Sequence, residues 1–123
     1  MTDPVCACSF TLDTHDPDAM TRFYTERLGF VHVSTEQSGL MYERQRVRHP
    51  SGDLELVFRS CLPRPHVGSA PGTLMEITMR VADPDRAIEG WPVEERHPEE
   101  GPAERIVLRD PSNYTLVLRR DGV

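Results

Sequence analysis

One stretch of this chain is partly written twice. Residues 9–30 read SFTLDTHDPDAMTRFYTERLGF, and the first half returns at residues 76–90 as EITMRVADPDRAIEG. Aligning Asp16-Pro17-Asp18 with Asp83-Pro84-Asp85 sets an offset of 67 residues and lays Phe10 on Ile77, Thr11 on Thr78 and Leu12 on Met79. A repeated stretch of this kind implies two related units, neither burying its apolar side by accident.

Each copy has the same grammar. Residues 6–13 alternate, with Phe10 and Leu12 on one side and Ser9, Thr11 and Asp13 on the other, which predicts a half-buried strand. Asp16 is a good helix N-cap, and Pro17 occupies the first helical position, where a missing N–H costs nothing. Met20, Phe23, Tyr24 and Leu28 follow at helical spacing, and Gly29 supplies a left-handed stop. Strands are predicted over 30–35, over 40–48 with an exposed arginine-rich face, and over 54–59, separated by Gln37-Ser38-Gly39 and by the turn residues 49–53.

The proline- and glycine-bearing residues 61–73 read as a linker between a first unit, 6–60, and a second, 74–120. In the second unit the order recurs: a strand over 74–81, a short helix over 84–89 cut off by Gly90 and Pro92, then strands over 93–96, 103–109 and 114–120, with 97–102 a loop. Two strand–helix–strand–strand–strand units predict an α+β domain, with a helix over one face of each curved, mixed sheet. The second faces would then line a cavity.

Composition narrows the partners. A chain of 123 residues fits a single domain, and 37% hydrophobic residues suffice for a core. A net charge of −6 argues against nucleic acid or an anionic membrane surface as partner. No apolar run approaches the ~20 residues of a membrane helix, and the N-terminal residues lack a secretory pattern, so the cytoplasm is expected. Cys6, Cys8 and Cys61 read as reduced structural thiols, since one C-x-C pair with no second pair nearby is a weak zinc signal.

Strand parity is the most informative pattern. One parity is apolar: Phe10, Leu12, Leu54, Leu56, Phe58, Ile77, Met79, Val81, Leu116 and Leu118. The other carries Ser9, Thr11 and Asp13 on the first strand, and Glu55, Val57 and Arg59 on the fourth. It continues with Glu76, Thr78 and Arg80 on the fifth, and Thr115, Val117 and Arg119 on the last. This row reads either as a wet sheet face or as the lining of a polar ligand cavity.

The chain resembles the vicinal oxygen chelate superfamily of glyoxalase I, bleomycin-resistance proteins and extradiol dioxygenases. The residues that carry the likeness are Asp16 with Phe23-Tyr24 and Leu28-Gly29-Phe30, then Leu54-Glu55-Leu56, then Leu108-Arg109-Asp110-Pro111-Ser112-Asn113. The resemblance implies the glyoxalase-like fold over residues 7–120 and a homodimer. It also implies four metal-ligand positions, which fall on Ser9, Glu55, Glu76 and Val117, where metal-dependent members carry His, Glu, His or Gln, and Glu. Glu55 fits that pattern; Val117 has no donor atom. Two carboxylates suit at most a weakly held divalent ion such as Mg²⁺ and are a poor set for Zn²⁺, Ni²⁺ or Fe²⁺. No bound cofactor is therefore expected.

Three functions stay open at this point. The first is metal-independent binding or sequestration of a small polar, anionic or aromatic molecule, with the arginines suited to an acidic group. The second is a lyase or isomerase in which Glu55 and Glu76 act as an acid–base pair or as weak metal ligands. The third is a non-catalytic interaction domain whose cavity its own side chains fill. A competing expectation for the glutamates is a static network in which Arg59, Arg80 or Arg119 neutralises each. No histidine among His15, His32, His49, His66 and His97 is expected on the polar row. Trp91 reads either as a wall for a ligand or as packing against the short helix.

Overall fold

The structure is a computed structural model that describes residues 8–37, 42–60, 76–97 and 104–120. It divides into two compact units, 1–65 and 66–123. The predicted linker 61–73 and the residues preceding Cys8, Cys6 among them, lie outside the described residues.

In the first unit, β1 (Cys8–Thr14) leads into α1 (Pro17–Arg22), which continues as a π-helical stretch, Phe23–Arg27. Strands β2 (Val31–Gln37), β3 (Glu43–Arg48) and β4 (Leu54–Ser60) follow. The sheet order is β1-β4-β3-β2, with β1 parallel to β4 and the other neighbours antiparallel. A parallel pair needs a crossover, which the helix provides. The second unit repeats this with β5 (Glu76–Val81), α2 (Pro84–Ala87), β6 (Val93–His97), β7 (Arg105–Arg109) and β8 (Thr115–Arg120) in the order β5-β8-β7-β6.

The sequence echo is a structural one. The Asp16 carboxylate accepts from the Ala19 N–H at 3.0 Å, and 67 residues later the Asp83 carboxylate accepts from the Arg86 N–H at 3.2 Å. Each proline follows its cap at the first helical position. Gly29 and Gly90 take φ of +75° and +71°, the left-handed conformation that a Cβ disfavours. The π-helical stretch was not legible beforehand. Within it the Thr25 hydroxyl donates to the Thr21 carbonyl at 2.8 Å, a back-bond that competes with the regular ladder and bends helices.

Under α1 the core is Leu12, Met20, Phe23, Tyr24, Leu28, Phe30, Val47, Leu56 and Phe58, all buried. Tyr24 stands at its centre, 5.3 Å from the ring centroids of Phe23 and Phe30 and 5.1 Å from that of Phe58. Complete burial of such side chains stabilises by about 1.5–3 kcal/mol each. Phe10 departs from its expected place in this core, being 44% exposed; its repeat partner Ile77 is half-buried. Both lie one strand repeat before the well-covered Leu12 and Met79, toward the start of their strands.

The helix of the second unit has four residues rather than the expected six, with Pro84 and Ala87 buried. A charged quartet gathers around Asp85. Arg96 donates to Asp85 at 2.7 Å and to Glu104 at 3.0 Å, and Arg120 approaches the same two carboxylates at 3.4 and 3.7 Å. Asp110, also buried, accepts the N–H groups of Ser112 and Tyr114 at 2.9 and 3.0 Å. That turn brings Asn113 to φ 71° and starts β8.

Candidate functional site

The face of each sheet opposite its helix carries the polar row. On the first sheet the register aligns Ser9 with Glu55, Thr11 with Val57 and Asp13 with Arg59. On the second it aligns Glu76 with Thr115, Thr78 with Val117 and Arg80 with Arg119. Every predicted row residue thus stands on the predicted side of its own sheet. Ser9, Thr11, Glu76, Thr78 and Arg80 are exposed, Asp13, Arg59 and Arg119 half-buried, and Glu55 and Val117 buried.

The antiparallel neighbours add residues that strand-by-strand reading missed. Arg48 pairs with Glu55, Arg46 with Val57 and Arg44 with Arg59, so the arginines of β3 join the polar row. The position equivalent to Arg48 in the second sheet is Arg109, opposite Thr115; Arg105 stands opposite Arg119. All fourteen cationic side chains of the chain are arginines, without one lysine. Four of them lie on the polar face of each sheet. In a chain of net charge −6 that is a strong local concentration of planar, always-charged hydrogen-bond donors.

Glu55 is a buried carboxylate of the first sheet with three side-chain hydrogen bonds. Its Oε1 accepts from Arg46 Nη1 at 3.0 Å and from the Ser9 hydroxyl at 3.4 Å, and its Oε2 accepts from Arg48 Nη2 at 3.3 Å. Arg46 is shared, because its Nε also donates to Glu36 at 3.2 Å. The hydrogen bonds to Glu36 and then to Glu55 hold the Arg46 guanidinium above its ordinary pKa. The sequence predicts a glutamate neutralised by Arg59, Arg80 or Arg119, whereas the partners of Glu55 are Arg46 and Arg48. Arg59 instead donates to Asp13 at 2.8 Å, because it stands four residues beyond Glu55 along β4, opposite Asp13 rather than Ser9.

The expectation that no histidine shares the row also needs correction. β6 runs to His97, which was placed in a loop, and the register sets His97 opposite Arg105 and so on the face of Arg119. A bulge between Val93 and Glu95 shifts the parity of β6 and could not be read from alternation alone. His97 Nε2 lies 3.8 Å from a Glu95 carboxylate oxygen. The indole N–H of Trp91 donates to the Arg109 carbonyl at 2.8 Å.

The donors do not suit a resident metal. Among the described residues no group of three or more His, Cys, Asp or Glu side chains comes together. Both oxygens of Glu55 face guanidinium groups, which repel a cation. The residue that stands opposite Glu76, as Glu55 stands opposite Ser9, is Thr115; Val117 stands opposite Thr78. No helix among the described residues is long and apolar enough to cross a membrane.

No family model matches the sequence, and no curated protein matches it. Solved structures do. TnmS3, described as an antibiotic binding protein from Streptomyces sp. CB03234, superposes with a TM-score of 0.68 at 23% identity, covering 98% of both chains. A glyoxalase/bleomycin resistance protein from the same organism gives 0.64 at 25% identity, covering 90% of this chain and 96% of that one. The third is a variant of the fosfomycin resistance protein FosX from Listeria monocytogenes, complexed with Mn(II) and 1S,2S-dihydroxypropylphosphonic acid. It gives 0.65 at 15% identity, covering 91% and 88%.

Proposed function

We propose that this chain, whose fold is that of the vicinal oxygen chelate superfamily, binds a small anionic or aromatic molecule without a metal ion. The observation that carries the reading is the state of Glu55, engaged by Arg46, Arg48 and Ser9 rather than left open to a cation. Arginines do the recognising. Their forked guanidinium groups match carboxylate and phosphonate geometry and stack on aromatic rings. The ligand contacts expected on the polar rows are Ser9, Thr11, Asp13, Glu55 and Arg59 in the first sheet, with Glu76, Thr78, Arg80, Val117 and Arg119 in the second. Two similar structures support the ligand class: one is of an antibiotic binding protein, the other holds a phosphonic acid. The chain is further read as a cytoplasmic homodimer, which sedimentation velocity tests for the dimer.

The experiment is a ligand screen on metal-stripped protein. Aromatic carboxylates, phosphonates and aromatic antibiotics are added and the melting temperature followed, with calorimetry on each hit. Specific stabilisation in the presence of chelator is the expected result. Binding that appears on adding a divalent metal and vanishes with chelator would overturn the metal-independent reading.

A further inference from the structure

The two polar faces share a detail that no pairing among the described residues explains. On the first sheet Arg44 of β3 stands opposite Arg59 of β4; on the second Arg105 of β7 stands opposite Arg119 of β8. These are the same place in the repeated topology. Like charges directly opposite on neighbouring strands repel, and an arginine cannot relieve the repulsion by losing its proton.

In the first sheet Arg59 is neutralised by Asp13, whereas Arg44 has no carboxylate in ion-pair range among the described residues. The carboxylate opposite it on β2, Glu36, is committed to Arg46. Arg44 Nε is buried with no hydrogen-bond partner, and the contact of its guanidinium is the Tyr42 ring, 5.6 Å from the centroid. Arg105 repeats the condition, with a buried Nε that has no partner and no carboxylate among the described residues in ion-pair range. A buried N–H without an acceptor is costly, and more so on a charged group. That two such groups occupy equivalent positions points to a shared purpose rather than to a packing fault.

We propose that Arg44 and Arg105 each receive an oxyanion, a carboxylate, phosphate or phosphonate group, on the polar face of its own sheet. The inference rests on the reading of the chain as a binder of anionic molecules and narrows it to the residues that take the charge. Arg46 and Arg48 are already engaged with glutamates, whereas Arg44 and Arg105 offer unused donors. The Tyr42 ring lies within cation–π range of the Arg44 guanidinium, a contact that uses none of its N–H donors.

The test uses inorganic phosphate on the full chain at constant ionic strength set with sodium chloride. In ¹H–¹⁵N spectra the arginine Nε–H resonances absent from Arg44→Gln and Arg105→Gln identify the two groups. Phosphate should shift both in the unmodified protein. Calorimetry should show one of the two phosphate sites weakened about tenfold by either substitution and the other kept, as loss of a single charge-assisted contact does, with a smaller loss for Arg44→Lys, which keeps the charge without the fork. Phosphate that leaves both resonances in place, or glutamine variants that both bind phosphate as the unmodified protein does, overturns the proposal; where a glutamine variant misfolds, the lysine substitution at the same position, which also lacks the Nε–H, identifies the resonance. The screen described above can fail while phosphate still binds these arginines. An organic ligand whose affinity ignores Arg44→Gln and Arg105→Gln refutes this inference alone.

Discussion

Arg46 reaches from β3 to β4 to place Nη1 3.0 Å from Oε1 of Glu55, although the residue directly opposite it is Val57. The contact is therefore diagonal, and Arg48, the residue directly opposite Glu55, takes the other oxygen at 3.3 Å. One buried carboxylate is shared by two arginines, and the centre of the first polar face behaves as one electrostatic unit.

Removing one member should cost more than removing a surface ion pair. Arg46→Met should lower unfolding stability by about 1–2 kcal/mol, since Glu55 is then left buried with reduced compensation. The cost stays below that of a fully buried pair because the Arg46 side chain keeps 31% of its exposure. Urea denaturation of Arg46→Met, Glu55→Met and the double variant should give a coupling of about 1 kcal/mol. Strict additivity of the two single effects would show that the contact is not made in solution.

Metal removal should change nothing. Chelator treatment is expected to leave the melting temperature where it was, and Mn²⁺ or Mg²⁺ added at millimolar levels should not raise it. A ligand that binds the folded chain alone raises apparent stability by mass action, so a metal-dependent upward shift would contradict the reading of Glu55.

Phe58 and Phe10 offer a contrast within one sheet. Phe58 is wholly buried against Tyr24, whereas Phe10 is 44% exposed. Phe58→Ala should cost about 3–5 kcal/mol through lost burial and a cavity, a large fraction of the ~5–15 kcal/mol that holds a domain of this size. Phe10→Ala should cost well under half as much. Similar losses at both positions would mean that β1 is covered along its whole length.

The charged quartet beside α2 makes stability depend on acid. The hydrogen bond from Arg96 outweighs the opposing effect of burial and, with the charge of Arg96 and then the hydrogen bond from Arg120 adding to it, holds the Asp85 carboxyl below its ordinary value of 3.8. A group whose folded pKa is depressed contributes stability that is complete above its unfolded pKa and is lost as pH falls through the folded value. The loss therefore begins below about pH 4. Asp85→Asn should flatten the stability curve between pH 4.5 and 2.5, roughly, relative to the unmodified chain. The difference should shrink at high salt, because these side chains are substantially exposed. Parallel curves would exclude Asp85 from the acid response.

What the chain determined by itself was its caps, its stops and most of its periodic segments. The repeated Asp-Pro caps, the Met20–Phe23–Tyr24–Leu28 stripe, the stops at Gly29 and Gly90 and the two-residue alternation of the strands each state their structure within a few residues. The same alternation placed Ser9, Glu55, Glu76 and Arg119 on the polar side of their sheets. Tertiary structure decided what meets what. Glu55 found Arg46 and Arg48 because antiparallel pairing carries β3 past it in the opposite direction, and no spacing along one strand encodes that register. The bulge in β6 turned His97 onto the polar face, and strand pairing in the second sheet set Arg96 and Arg120 within reach of Asp85. Periodicity is a property of one segment, whereas partners are chosen by the strand that pairs alongside it.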